Sequence, residues 1–421
     1  MNTTPLLDRF LRYVRIYSQS SSKNADNGII PSTPQQFDFA QLLAEEMRAL
    51  PLTDVCVTDN CYVYGRLPAT PGSEDVAPFC LLSHMDTVEE VSGKDVKPLV
   101  HEQYDGMPIQ LAEGRILDPA DYSELALAGK NRETVITSDG TTLLGADDKA
   151  GIAEIMTAIA FLVSHPAVPH PDIEIIFSPD EETGHGMDKV PLELLHAQRA
   201  YTVDGGHIGE LEVECFNAYG TTVTFTGKSV HTGTARAGGL INALLMVSAF
   251  VRSLPPREAP ETTDGAEGFY APMEINGTIE RATVTLLLRD FTDSGIERRK
   301  KVVDELAQAA ALSYGGTAKV VHKKQYQNMK AVLDAHPAVV KDLIDAYHAA
   351  GVTPVFTPIR GGTDGSRLTE MGIPTPNIFT GGHNFHSRYE WASLEQMQKA
   401  VDVLIALARI GTEQRGTQHY A

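Results

Sequence analysis

The sequence predicts an α/β protein: a mixed, mostly parallel sheet with helices on both faces, and a ferredoxin-like α+β domain inserted into it. Three observations lead there. Through roughly the first half of the chain, short apolar runs alternate with helical patterns, as they do when parallel strands are joined by crossovers. From about Glu214 the order becomes strand, helix, strand, strand, helix, strand, which is the ferredoxin-like arrangement. After Met329 the first pattern resumes and ends in a histidine pair that complements acidic clusters far upstream. The expected domains are therefore 1–213 and 329–421 as two parts of one unit, with 214–328 as the insertion.

Taken in order, Leu6, Leu7, Phe10, Leu11 and Val14 recur at helical spacing and predict an amphipathic first helix within Met1 to Ser22. Phe79-Cys80-Leu81-Leu82-Ser83 is too short for a helix and reads as a buried strand, with His84 and Asp86 at its C-terminal end. Val88 to Arg132 is rich in Gly, Pro and charge and reads as a loop-rich insertion. Asp147 or Asp148 caps a strong helix whose apolar face is Ile152, Ile155, Met156, Ile159, Leu162 and Val163, ending at His165-Pro166. Ile173 to Phe177 is the next strand, broken at Pro179. In the insertion, Thr221–Phe225, Phe269–Gly277, Ala282–Leu288 and Lys319–Lys324 read as strands, and Gly239–Leu254 and Ile296–Leu312 as helices.

Composition narrows the class. The chain has 421 residues, enough for one large or two ordinary domains. No stretch approaches the ~20 apolar residues of a membrane span. The N-terminal stretch carries arginines and tyrosines rather than an unbroken signal-peptide core, which predicts a cytoplasmic protein. Acids outnumber bases 55 to 35, a formal charge of −20, which argues against nucleic acid or an anionic membrane as a partner. Four cysteines without a Cys-x-x-Cys pair read as buried thiols in a reducing compartment.

The chemistry lies in five clusters: Ser83-His84-Met85-Asp86-Thr87, Gly145-Ala146-Asp147-Asp148-Lys149, Pro179-Asp180-Glu181-Glu182-Thr183-Gly184, Val203-Asp204-Gly205-Gly206 and His383-Asn384-Phe385-His386. Any one alone is compatible with a helix cap, a solvated loop or a turn. Together, each at a predicted strand end or helix start, they match the mixed imidazole and carboxylate set that zinc recruits. Ligands gather outside the carboxyl ends of strands in such sheets. Charge supports two zinc ions. Their +4 is balanced by three carboxylates (Asp147, Glu182 and Asp204) and a bridging hydroxide. One carboxylate must then bridge the metals, and an aspartate does so economically. Glu181 is left over beside a ligand and becomes the natural general base for the metal-bound water. Asp86, two residues from His84, is placed to orient its imidazole. On chemistry alone, His383 and His386 are equivalent.

These residues resemble the tripeptide aminopeptidases of the two-zinc aminoacylase/carboxypeptidase metallopeptidase superfamily, nearly from end to end. Thr142-Leu143-Leu144-Gly145-Ala146-Asp147-Asp148-Lys149-Ala150-Gly151, Ile359-Arg360-Gly361-Gly362-Thr363-Asp364-Gly365 and Asn377-Ile378-Phe379-Thr380-Gly381-Gly382 carry the likeness most specifically. The resemblance implies a zinc-exopeptidase-type sheet, with the insertion acting as a lid and dimerisation-type domain. It implies that His84 and Asp204 hold one zinc and Glu182 and His386 the other, with Asp147 bridging, Asp86 orienting and Glu181 as base. It selects His386 over His383 by its distance from Gly-Gly, and Asp147 over Asp148 by the Asp-x-Lys pattern. His231, in Val230-His231-Thr232-Gly233-Thr234-Ala235, would polarise the scissile carbonyl, sometimes across a dimer, so a homodimer is admitted; Thr232 stands where the family usually has proline. Arg289 and Arg360 would grip the peptide's terminal carboxylate. The implied activity is release of the N-terminal residue from short peptides, most readily tripeptides. A dipeptidase, carboxypeptidase or N-acyl-amino-acid deacylase would share the metal site. A non-catalytic peptide-binding protein would lack a ligand or the base, and none is missing.

Overall fold

The computed structural model describes residues 4–416 and divides into two compact units. One takes the chain up to Val213, then Ala331–Thr357 and from Thr363 onward; the other is Glu214–Lys330 with Pro358–Gly362. The small return segment, 358–362, lies outside the predicted boundaries. It joins the second unit because Ile359 bridges to Cys215 in parallel register.

The first unit is built on an eight-stranded mixed sheet. Its centre is parallel: Ile173–Ser178, Phe79–His84, Ala200–Gly205 and Asn377–Phe379 run side by side in that order. Both Ile173–Ser178 and Phe79–His84 are buried along their whole length, as strands covered on two faces must be. Alternation assigns the faces. Phe79, Leu81, Ile173, Ile175 and Phe177 join the main core, with Phe10, Phe39, Leu43, Ile152, Ile155, Leu343 and Met397 from five helices. Cys80, Leu82 and Ile176 point the other way, onto Tyr62, Met187 and Leu368. The antiparallel pairs lie outside that centre, at Thr53–Val57, Val63–Leu67 and Glu210–Glu212.

The predicted first helix is Pro5–Tyr13, started by Thr4, whose Oγ1 accepts the Leu7 N–H. The helix expected from Asp147 runs Ala146–Ser164, but Asp147 and Asp148 have non-helical backbone angles, so the regular turns begin after them. This helix packs directly on the strand Ala200–Gly205, which carries Asp204. At Gly151 a Cβ would stand 1.9 Å from the Val203 carbonyl oxygen, so only glycine permits the approach. The Val88–Arg132 insertion holds more structure than expected: Leu99–His101, Ile109–Gln110, Ile116–Leu117 and the helix Ser123–Asn131. Leu99–His101 extends a second, antiparallel sheet with Val135–Thr137, Trp391–Ser393 and Gly382–His383. Cys61, Cys80 and Cys215 are buried, whereas Cys56 is only partly covered.

The second unit follows the predicted order, with strands Asn217–Thr226, Phe269–Gly277, Arg281–Asp290 and Thr317–Tyr326, and helices Ala243–Ser253 and Asp293–Ser313. Numbering its strands along the chain, they lie 2-3-1-4 and all pair antiparallel, the ferredoxin-like topology. Val223, Phe225, Val284, Leu286 and Leu288 meet Met246, Phe250, Ile296 and Val303 in its core.

Candidate metal centre

The parallel register carries the C-terminal ends of three central strands to one edge of the sheet. His84 ends one strand opposite Ser178, Asp180 to Glu182 follow the second, and Asp204 lies near the end of the third. The non-helical start of Ala146–Ser164 delivers Asp147 to the same edge. His386 comes from the turn between Gly382–His383 and Trp391–Ser393, with its backbone in the left-handed region at φ 58°.

Two donor groups form there and share one residue: His84, Asp147 and Asp204 in the first, Asp147, Glu182 and His386 in the second. His84 Nε2 is 2.8 Å from Asp147 Oδ1 and 3.5 Å from Asp204 Oδ1. His386 Nε2 is 3.1 Å from Asp147 Oδ2 and 3.0 Å from Glu182 Oε2. Thus each Asp147 oxygen faces a different imidazole, the disposition of a bridging ligand. Two donors at about 2.1 Å from one tetrahedral zinc lie about 3.4 Å apart, so these spacings suit ligands drawn around small cations.

Electrostatics point the same way. Burial pushes the Asp204 carboxyl up to about 6, and burial plus the neighbouring Asp147 charge push Glu182 up to about 8. Burial alone would depress His84, yet Asp204, Asp147 and Asp86 raise it well above the ordinary histidine range. Hydrogen bonds to Asp147 and Glu182 raise His386 to about 11. Asp147, although only partly exposed, is held well below the usual carboxylate range by the two imidazoles. The cluster is short of positive charge, and its histidines are drawn into supplying it. Glu182 Oε1 is also buried without a hydrogen-bond partner, an orphan that a cation would satisfy. The residues fit a pair of divalent ions.

Asp86 is fully buried beside His84. The imidazole Nδ1 lies 3.1 Å from the Asp86 backbone oxygen and 3.3 Å from its carboxylate. The same carboxylate accepts the Glu181 and Glu182 N–H groups at 3.0 and 3.2 Å, so it orients the histidine and anchors the acidic turn together. Glu181 opens the turn Glu181–Thr183, and burial pushes its carboxyl well above the ordinary glutamate range.

The paired alternatives separate. Asp148 turns away from the donor groups and accepts the Ser83 hydroxyl and the N–H groups of His84 and Gly151. His383 is buried, stacked on Trp391 at 3.9 Å, with Nε2 3.2 Å from Gln396 Oε1. Three supports escaped sequence reasoning. Asp180 accepts from Ser32 and Gln36 beneath the acidic turn. Asp364, inside one of the telling stretches, accepts the Ser178 hydroxyl. Glu390 holds the backbone at Asp147.

The remaining expected residues belong to the second unit. His231 is exposed and accepts the Gly233 N–H at Nδ1, which leaves the proton on Nε2. Arg289 is buried; its guanidinium donates to the Leu288 carbonyl and lies 5.4 Å from the Tyr326 ring centroid. Arg360 donates to the carbonyls of Gly265 and Glu267 and to Thr263 Oγ1, and stacks near Phe216 and Phe269.

Fold and site together define a metal-dependent hydrolase of the kind that places two cations at the C-terminal edge of a parallel sheet. Residues 138–410 match the model of peptidase family M20/M25/M40. The chain is 44% identical to Peptidase T of Clostridium perfringens over 96% of its own length and 98% of that protein. It is similar in structure to the aminopeptidase PepT from Bacillus cereus (TM-score 0.75, 23% identity, 97% and 98% of the two chains). It is also similar to a tripeptidase from Staphylococcus aureus (TM-score 0.76, 22% identity, the same coverage). The chain belongs to peptidase family M20/M25/M40 and, within it, to the peptidase T group; it is a metallopeptidase. Among the described residues no helix is long and apolar enough to cross a membrane.

Proposed function

We propose that this protein is a cytoplasmic, dinuclear zinc aminopeptidase that releases the N-terminal residue of tripeptides. The observation that carries the reading is the pair of donor groups sharing Asp147, with Glu181 beside them and not needed as a ligand. His84 and Asp204 would hold one ion, Glu182 and His386 the other. Bound there, two zinc ions would polarise the scissile carbonyl and acidify water. Asp86 keeps the His84 ring aimed and the acidic turn in place. Glu181 takes a proton from the attacking water and returns it to the departing amine, one carboxylate serving both halves of the reaction. His231, with its proton on Nε2, donates a hydrogen bond to the carbonyl oxygen as charge develops. Arg289 and Arg360 are assigned to the peptide's terminal carboxylate, and a homodimer is the proposed assembly. For Arg360 this requires exchange of the loop carbonyls that it now holds.

Mass spectrometry of products from a panel of di-, tri- and tetrapeptides, free and N-acetylated, tests the reading, with metal analysis alongside. The expected result is loss of the N-terminal residue from free tripeptides and about two zinc ions per chain. Release of a C-terminal residue from acetylated peptides would instead identify a carboxypeptidase.

A further inference from the structure

His386 and Asp147 reach the site from different layers. Asp147 follows a loop entering the helix Ala146–Ser164, and His386 sits in a turn of the antiparallel sheet. Both must be held so that the two donor groups close on one another. Neither ligand can do this itself, because each is in an irregular backbone segment, with Asp147 at φ −82°, ψ 104° and His386 at φ 58°.

One side chain joins the two segments. Glu390 lies four residues after His386 and is 2% exposed. Its Oε2 accepts the Leu144 and Gly145 N–H groups at 2.7 and 2.8 Å, and its Oε1 accepts the Asp147 N–H at 3.2 Å. Three backbone donors converging on two oxygens suit a carboxylate, which is acceptor-only when ionised. Gly145, at φ +84°, makes the turn that lets these N–H groups face one point. On the other side, the turn bearing His386 is closed onto the residue before Glu390. Asn384 Nδ2 donates to the Tyr389 carbonyl at 3.1 Å, Ser387 Oγ to the Asn384 carbonyl at 2.7 Å, and the Tyr389 N–H to Ser387 Oγ at 3.1 Å. Trp391–Ser393 then ties the base of the turn into its sheet through Val135–Thr137.

We propose that Glu390 is a positioning residue that sets the distance between Asp147 and His386, and so the affinity of the cation pair. The inference rests on the two-metal reading. The hydrogen bonds of Glu390 run to backbone N–H groups and not to the donor atoms of that site. It acts on the backbone that presents Asp147, while its own backbone continues the turn that presents His386. Glu390→Gln keeps the shape and one carbonyl acceptor but turns an amide NH2 toward backbone donors. Glu390→Ala removes the clamp.

The experiment is titration of the metal-free full chain with Co2+ alone, read by visible absorption and calorimetry, for the parent, Glu390→Gln, Glu390→Ala and Glu395→Gln. Glu395 accepts from Thr134 at the exposed rim of the same region and reports any general loosening. Glu390→Gln should fold with a thermal transition close to the parent's and bind Co2+ ~10–100-fold more weakly, the usual scale for losing a partner behind a metal ligand. With metal saturating, kcat should fall while KM stays near the parent value. Glu395→Gln should match the parent. Parental Co2+ affinity in folded Glu390→Gln would overturn the proposal, as would equal weakening in Glu395→Gln. If Glu390→Ala does not fold, the isosteric variant alone decides. A parent that binds fewer than two Co2+ would instead refute the two-metal reading, and it is read first.

Discussion

His386 Nε2 lies 3.1 Å from Asp147 Oδ2 although 239 residues separate them in the chain. The contact closes a site whose other members all come from the N-terminal half. It gives the molecule a simple dependence: the second cation should be lost when the C-terminal turn loses its imidazole.

His84→Ala, Asp204→Ala and His386→Ala should each lower metal stoichiometry, measured by elemental analysis of the purified protein. His383→Ala should leave it unchanged and lower stability by about 1–2 kcal/mol, since its ring stacks on Trp391 and bonds Gln396. Two tightly held ions in His386→Ala would move the ligand elsewhere. Dialysis against a strong chelator should abolish activity, and zinc or cobalt should restore it.

Glu181→Gln should keep both ions and slow turnover by at least ~10²-fold, the scale of a lost general base. The check is metal content and kcat on the same sample. Loss of metal with normal activity per bound ion would show that Glu181 is a ligand.

Substrate length is the third target. N-acetylation of a tripeptide should strongly reduce kcat/KM, and C-terminal amidation should reduce it too. Arg289→Ala should reproduce the amidation penalty on the free peptide and add little on the amide, because both changes remove one interaction. Additive penalties would separate Arg289 from the carboxylate. Arg289 is buried, so the thermal transition of the variant is measured in parallel.

Acid should weaken the fold through His383, whose burial pushes its imidazole down to about 4. The folded pKa lies below the unfolded value of about 6.5, so the unfolded chain binds the extra proton. This contribution is complete above about pH 6.5 and is lost as pH falls toward 4, on the order of 3 kcal/mol in all. In His383→Gln the decline of the thermal transition over that window should be shallower. An unchanged slope would assign the acid sensitivity to other groups.

Much of the architecture could be read in advance because it rests on pattern. Phe79 to Leu82 is apolar throughout, as a strand buried on both faces must be. The helix after Asp148 repeats its apolar residues every third or fourth position. The ferredoxin-like order followed from six such segments in succession. What escaped was short or nonlocal. Ile109–Gln110, Ile116–Leu117 and Val355–Phe356 are two-residue strands, too brief to show a period. Asp147 and Asp148 are neighbours of one chemical type, and only the fold sends one to the donor groups and the other to Ser83. Glu390 binds backbone N–H groups, which every residue but proline possesses, so nothing in its partners' side chains marked it. Arg360 carried a guanidinium suited to a carboxylate, yet the carbonyls around Gly265 also satisfy it.

The close packing at Gly151 has a consequence for how this activity can be lost. A single methyl there would meet the Val203 carbonyl and the Asp148 carboxylate, and the helix would have to lift from the strand. Asp147 rides on one partner and Asp204 on the other. Alanine at 151 would therefore widen the first donor group while leaving all five donor residues intact. An inventory of reactive side chains would score such a variant as unharmed. The vulnerability sits in a residue that contributes no functional group at all.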